Sequence, residues 1–255
     1  MARKRDSLVI ADHGVKYDFI DAGFNEPNKD AEVVIVGITP GITQVAQEES
    51  GWSSKERKRK YAFSGNGMRK NLYKMLECIG LKEFLGDFDE KTLWESPKFF
   101  DRIDATSLLK RGVFTRKEMT DSTSVKVGDL GSMFNNPLKI KGDAELEKEF
   151  KSFEDDLKQY RKVRLFIALG SRVKKCLDEL GSAIRVPVVE IPHPSGANSG
   201  RIKAFLTKAS CEPCLISDST DDEPGKIKCY FRLAKDSRQK VLDIVNGMNA
   251  DEAGI

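Results

Sequence analysis

The sequence predicts an α/β protein, with a central, mostly parallel sheet flanked by helices on both faces. Three observations predict it. Apolar runs of strand length alternate with amphipathic segments of helical length, an order that builds βαβ units and covers both faces of a sheet. The run "VVIVG" (Val33 to Gly37) is wholly apolar, as a buried strand requires. Both this run and "VPVVEI" (Val186 to Ile191) end in Pro-containing loops, "ITPG" and "PHPSGAN". In such sheets ligands bind beyond the carboxyl ends of the strands, so the two loops are expected to face one cleft.

The elements follow in order. "SLVIADHGV" is a first element and "EVVIVG" a strongly apolar strand. In "MRKNLYKMLECI", Leu72, Met75, Leu76 and Ile79 recur at helical spacing, with Gly80 as the stop. "FFDRIDATSLL" reads as a strand, and residues 112–142, rich in Gly, Ser, Thr and Asn, as an irregular insertion. "DAELEKEFKSFEDDLKQYRK" is an amphipathic helix with Leu146, Phe150, Phe153 and Leu157 on one face. "VRLFIALG" is a strand and "SRVKKCLDELG" a helix, with Ser171 placed to cap it and Gly181 to end it. "VPVVEI" is a strand, and 210–225 a polar loop. "IKCYFRL" suggests a short strand and "SRQKVLDIVNGM" a closing helix. There is no internal repeat. The expectation is one domain over residues 1–255, with a core at about 32–205, the insertion at 112–142 and a C-terminal extension at 210–255.

Composition excludes several classes. No apolar run approaches the roughly 18 residues that span a bilayer, and "MARKRDS" lacks the apolar core of a signal peptide, so no membrane partner and a cytoplasmic protein are expected. The net charge is only +3, but "KERKRK" (Lys55 to Lys60) carries five cations and one anion. "RKVR", "RVKK" and "RIK" add further basic patches, which suit a polyanion because each neutralised phosphate releases counterions. A solvated face is the alternative for any single run. The five cysteines, Cys78, Cys176, Cys211, Cys214 and Cys229, are odd in number, which argues against a disulfide framework. "CEPC" has metal-knuckle spacing, but only Cys229 follows and no histidine is near, so no metal is expected.

Four motifs in order, "GITPG", "YAFSGNG", "FIALGSRVKKCL" and "HPSGAN", resemble the uracil-DNA glycosylase superfamily over roughly residues 32–205. "GITPGITQVAQ" is similar to its single-strand-selective branch and "SGAN" to its mismatch-specific branch. The cysteines lack the spacing of the iron–sulfur branch. The resemblance implies a base-flipping enzyme that hydrolyses the base–sugar bond, with DNA as partner, no cofactor and a monomeric chain. It implies His193 as donor to the departing base, Thr39 where relatives carry an Asp or Asn that handles water, and Phe63 as the aromatic that stacks on the base. Ile38 and Ala105 would line the base pocket. Pro40, Gly41, Gln44, Ser195, Gly196, Asn198 and Arg201 would meet the DNA, the last two where a side chain wedges into the vacated stack. Each assignment has a structural alternative: His193 a hydrogen-bonder, Phe63 ordinary core, Thr39 a loop cap. His13 receives no role.

Two departures from the family pattern bear on chemistry. Thr39 is neither carboxylate nor carboxamide, so it can orient water but not act as a base near neutral pH. The middle-strand Asn by which uracil-excising relatives read the base falls here on Asp104 or Ala105. An ionised Asp only accepts hydrogen bonds, so Asp104 in the pocket would favour the N4 amino group of a cytosine over O4 of uracil. Pairing of Asp104 with Arg102 or Lys110 is the alternative. Because excision of normal cytosine is toxic, such a pocket implies a modified base, for example the glucosylated hydroxymethylcytosine of phage DNA, and a role in antiviral defence. The loop from Gln44 to Ser54 and the 112–142 insertion would make room for it. No lysine adjoins "HPSGAN" or "GITPG", the nearest being Lys203, so a monofunctional glycosylase leaving an abasic site is expected. Uracil excision in DNA repair and an inactive DNA-binding module are the alternatives.

Overall fold

The computed structural model describes residues 7–13, 16–45, 52–65, 67–116, 124–126, 130–207 and 229–252. In chain order the strands are β1 (Ser7–His13), β2 (Tyr17–Ile20), β3 (Val33–Gly37), β4 (Ile103–Ser107), β5 (Gly112–Arg116), β6 (Ser124–Lys126), β7 (Leu130–Met133), β8 (Leu165–Leu169) and β9 (Val188–Ile191). The helices are α1 (Ile42–Val45), α2 (Ser54–Tyr61), α3 (Met68–Cys78), α4 (Leu81–Leu85), α5 (Glu90–Glu95), α6 (Pro97–Phe100), α7 (Ala144–Leu157), α8 (Ser171–Glu179), α9 (Ser199–Leu206) and α10 (Tyr230–Glu252). Among the described residues, no helix is long and apolar enough to cross a membrane.

A four-stranded, all-parallel sheet of order β4-β3-β8-β9 forms the centre, as the apolar runs predict. Side chains alternate across the pleat, so each strand feeds two cores. Val33 and Ile35 enter one with Leu72 and Met75 of α3, Phe205 of α9 and Val241 of α10. Val34 and Val36 enter the other with Leu146 and Phe153 of α7 and Val173 and Leu177 of α8. The strand order reverses between β3 and β8, so the loops after these strands diverge and leave a crevice at the carboxyl ends.

A second sheet, antiparallel and of order β6-β1-β2-β5-β7, caps that end of the molecule. The segment read as an irregular insertion therefore supplies three of its strands. Gly and Ser weaken strand propensity locally, but cross-strand pairing with β1 and β2 outweighs it. Gly112 lets β5 approach the first loop closely: a Cβ there would lie 2.5 Å from Val45 Cγ1 and 3.2 Å from the Pro40 carbonyl.

Other local expectations change as well. "FFDRIDATSLL" divides into α6, with Pro97 in its first turn, and β4. Gly170 rather than Ser171 occupies the N-cap of α8, while Gly181 follows its end with a left-handed φ of 49°. The residues from Tyr230 that suggested a strand begin the 23-residue helix α10, whose apolar face is long enough to pack on α9 and α4. Residues 227–228 of that proposed strand, the 210–225 loop, and Cys211 and Cys214 lie outside the described residues.

Candidate active site

A cleft of about 530 Å³ opens where the carboxyl ends of the parallel strands meet the second sheet. Loops following β3, β8 and β9 line it, together with Phe63 and the end of β4. The crevice anticipated from the two Pro-containing loops is thus present.

His193 follows β9 and lines the cleft, half-buried. The Ser195 backbone N–H donates to its Nδ1 at 3.3 Å, which leaves the proton of the neutral ring on Nε2. Burial holds its pKa below the usual histidine value, so the ring is neutral at physiological pH. The loop around it is braced: Asn71 Nδ2 of α3 donates to the Pro194 carbonyl at 2.9 Å, and Asn198 Nδ2 donates to Ser195 Oγ at 3.0 Å. Arg201 Nη1 in turn donates to Asn198 Oδ1 at 3.2 Å. Ser195, Asn198 and Arg201 line the cleft, as does Ala197 beside Gly196.

Phe63 also lines the cleft. Its φ of 54° places a bulky residue in the left-handed region, a conformation that surrounding contacts must hold. Those contacts are present. Trp94 meets its ring edge-to-face at a centroid distance of 6.0 Å. Arg69 of α3 donates to the Ala62 carbonyl at 2.9 Å and lies 4.9 Å over the Trp94 ring. Burial pushes the Arg69 pKa down to about 10, against the pull of Glu95 and Glu90, so it remains charged at neutral pH.

The first loop contributes Ile38, Thr39, Gly41 and Gln44 to the cleft. Gly41 N–H donates to Gln44 Oε1 at 2.5 Å, tying the loop into α1. Pro40 is buried behind the loop. Thr39 sits in the cleft, yet its hydroxyl donates to the Arg111 carbonyl at 2.7 Å and accepts from Val113 N–H at 3.0 Å. It thereby acts as a pairing partner for the start of β5. Its single proton is committed, and only an acceptor lone pair is left for a water.

Asp104 is a correction: it does not reach the cleft. Alternation along β4 turns it, with its neighbour Val34, toward the second core, three positions below the cleft end of the strand. Its side chain is 1% exposed and fully engaged. Lys58 Nζ of α2 donates to Oδ1 at 2.7 Å. Tyr160 Oη and Asn28 N–H donate to Oδ2 at 2.7 and 3.0 Å. Burial, then the nearby Asp104 charge, raises the Tyr160 pKa well above its usual value, so the phenol keeps the proton it donates. The partner is neither Arg102 nor Lys110, which pair with Glu32 and Asp156. The β4 residues in the cleft are Ala105, as anticipated, with Thr106 and Ser107.

Thr106 and Ser107, at the cleft end of β4, are lining residues that sequence reasoning missed. It also missed Ser171 and Arg172 at the start of α8, Glu190 of β9, Met133 at the end of β7 and Asn135 after it. The rule that ligands bind beyond the carboxyl ends of parallel strands, applied to the last residues of β4, could have found the first pair. The β7 residues carried no signal while their segment read as irregular. Among the described residues, no group of three or more His, Cys, Asp or Glu side chains is placed to hold a metal.

Residues 24–212 match the family described as the uracil DNA glycosylase superfamily. The uncharacterized protein YoxB of Bacillus subtilis (strain 168) is 28% identical over 197 residues, 70% of each chain. The crystal structure of wild-type Pedobacter heparinus SMUG2 is similar with a TM-score of 0.37 and 13% identity, covering 88% of this chain and 77% of that one. With the family match spanning the parallel sheet, both Pro-containing loops and the cleft between them, the chain belongs to the uracil DNA glycosylase superfamily.

Proposed function

We propose that the chain is a monofunctional DNA glycosylase that draws a modified or damaged pyrimidine into the cleft and hydrolyses its N-glycosidic bond. The observation that carries this reading is the state of His193, a neutral imidazole with Nδ1 occupied by Ser195 N–H and Nε2–H left as a donor. As the C1′–N bond breaks, its electron pair goes to the base, and Nε2–H stabilises the charge that develops on it. Phe63 offers its ring face to the flipped base. A water oxygen bonds to C1′ of the oxocarbenium-like sugar, and the proton it loses ends on the departed base anion, so the products are the neutral base and the abasic sugar. With the Thr39 proton held by Arg111, the first loop supplies position rather than a base, so rate acceleration rests on the leaving group.

The finer reading concerns which base is removed. Asp104 no longer supports a cytosine-type base, because its carboxylate is engaged away from the cleft. The Thr106 and Ser107 hydroxyls both donate and accept, and suit O4 of uracil or N4 of cytosine. Support for a bulky base such as glucosylated hydroxymethylcytosine, and for antiviral defence, now rests on the cleft volume alone, within the range of sites that hold whole small molecules. A second reading, an inactive DNA-binding module, is favoured by the commitment of Thr39 to β5. An alkali-cleavage assay on DNAs containing uracil, cytosine, hydroxymethylcytosine or glucosylated hydroxymethylcytosine separates these readings. Cleavage of any of them, abolished by His193→Ala with binding retained, is the expected result. Binding without cleavage of any substrate would replace the enzyme by the binding module.

A further inference from the structure

We infer that Met133, from the second sheet, is the side chain that fills the gap left in a duplex when the base is flipped. The inference rests on the glycosylase reading above. Extruding a base opens a hole in the stack, and proteins that hold such distorted DNA insert an apolar side chain into it. The resemblance placed this wedge at Asn198 and Arg201, but the loop there does not provide it. Gly196 and Ala197 are too short, the Asn198 amide is tied to Ser195 Oγ, and the Arg201 guanidinium is turned back onto the loop, donating to Asn198 Oδ1.

Among the described residues, two large hydrophobic side chains are exposed, Trp52 at 38% and Met133 at 42%. Trp52 stacks on Tyr61, with centroids 6.1 Å apart and planes 23° from parallel, and does not line the cleft. Met133 does line it. Its backbone is fixed from both sides. Phe134 N–H, one residue on, donates to the Val113 carbonyl at 2.8 Å, and Phe134 is buried in the second core. The Asn135 carbonyl accepts from Arg172 Nη1 of α8 at 3.3 Å, which ties this strand end to the parallel sheet's side of the cleft. An unbranched, polarizable side chain on a fixed backbone at the cleft mouth is suited to sliding between base pairs. A single strand has no stack to refill, so Met133 acts on duplex substrates.

The test uses the full chain and a duplex with 2-aminopurine next to the target pyrimidine. Binding of the wild-type protein is expected to raise 2-aminopurine fluorescence as the neighbouring base unstacks. Met133→Ala should lose most of that rise, and Met133→Leu should restore it. Because Met133 is exposed, neither substitution should disturb the fold, which circular dichroism checks. In cleavage assays, the ratio of duplex to single-strand rate should fall about tenfold in Met133→Ala. No fluorescence rise in the wild type, an equal rise in Met133→Ala, or an unchanged duplex to single-strand ratio overturns the inference. Absence of cleavage on every DNA would defeat the glycosylase reading, while the fluorescence comparison would still decide the role of Met133.

Discussion

The Asp104 carboxylate receives three hydrogen bonds from three parts of the chain and has no open side toward a ligand. Asp104→Ala is expected to destabilise the fold by about 3–5 kcal/mol, because it strands the buried Lys58 ammonium. Chemical denaturation measures this loss, and the residual active fraction should show the wild-type order of preference among bases. A changed order would return Asp104 to the site. His193 gives a second expectation at this scale. Its pKa lies below the usual value of about 6.5. Above that pH the ring is neutral whether the chain is folded or unfolded, and this group adds no pH dependence. Below it the unfolded chain binds the proton first, so stability declines until the lower folded pKa is passed. Protonation also puts a hydrogen on Nδ1 facing Ser195 N–H and breaks the loop brace. The acid limb of the kcat/KM profile should therefore fall below pH 6.5, and a limb above it would contradict the buried neutral ring.

At the scale of elements, the site is held by helices and strands that do no chemistry. The α3 helix supplies Asn71 to the histidine loop and Arg69 to the turn that strains Phe63. Asn71→Leu should slow turnover by about tenfold with little change in stability, the effect of one lost hydrogen bond of roughly 1.4 kcal/mol. An effect on DNA affinity alone would show that the brace does not position His193. Thr39 joins the first loop to β5, so Thr39→Val should cost about 1–3 kcal/mol while Thr39→Ser restores it, as thermal unfolding would measure. How much of this was legible varied with the signal. Val33 to Gly37 announced a buried strand because every residue is apolar, and α7 announced itself by its apolar spacing. The two loops of the cleft were legible because Pro, Gly and His stood at strand ends. The second sheet was not, because its strands are short, polar and paired between distant segments. Asp104 was misplaced because a buried carboxylate is recognisable only when its partners, 46 and 56 residues away in sequence, are known.

Across the whole molecule, the cleft lies at a seam between two sheets, and DNA would have to cover both. The exposed basic residues of α2, Arg59 and Lys60, lie close in sequence to Phe63. If that run meets phosphate, replacing both by Ala should weaken binding evenly across sequences and lower the slope of log affinity against log salt by about 2. An unchanged slope would make α2 a solvated face, the alternative reading of its charge. The network beneath α2 carries a consequence for how this chain can diverge. Lys58, Asp104, Tyr160 and the Asn28 backbone form one balanced unit, since losing the anion strands a cation and losing the cation strands an anion. Descendants are thus expected to exchange Lys58 and Asp104 together, for an apolar pair, or not at all. Mutational drift under the cleft should run in correlated steps, while the exposed Met133 varies with the DNA each descendant meets.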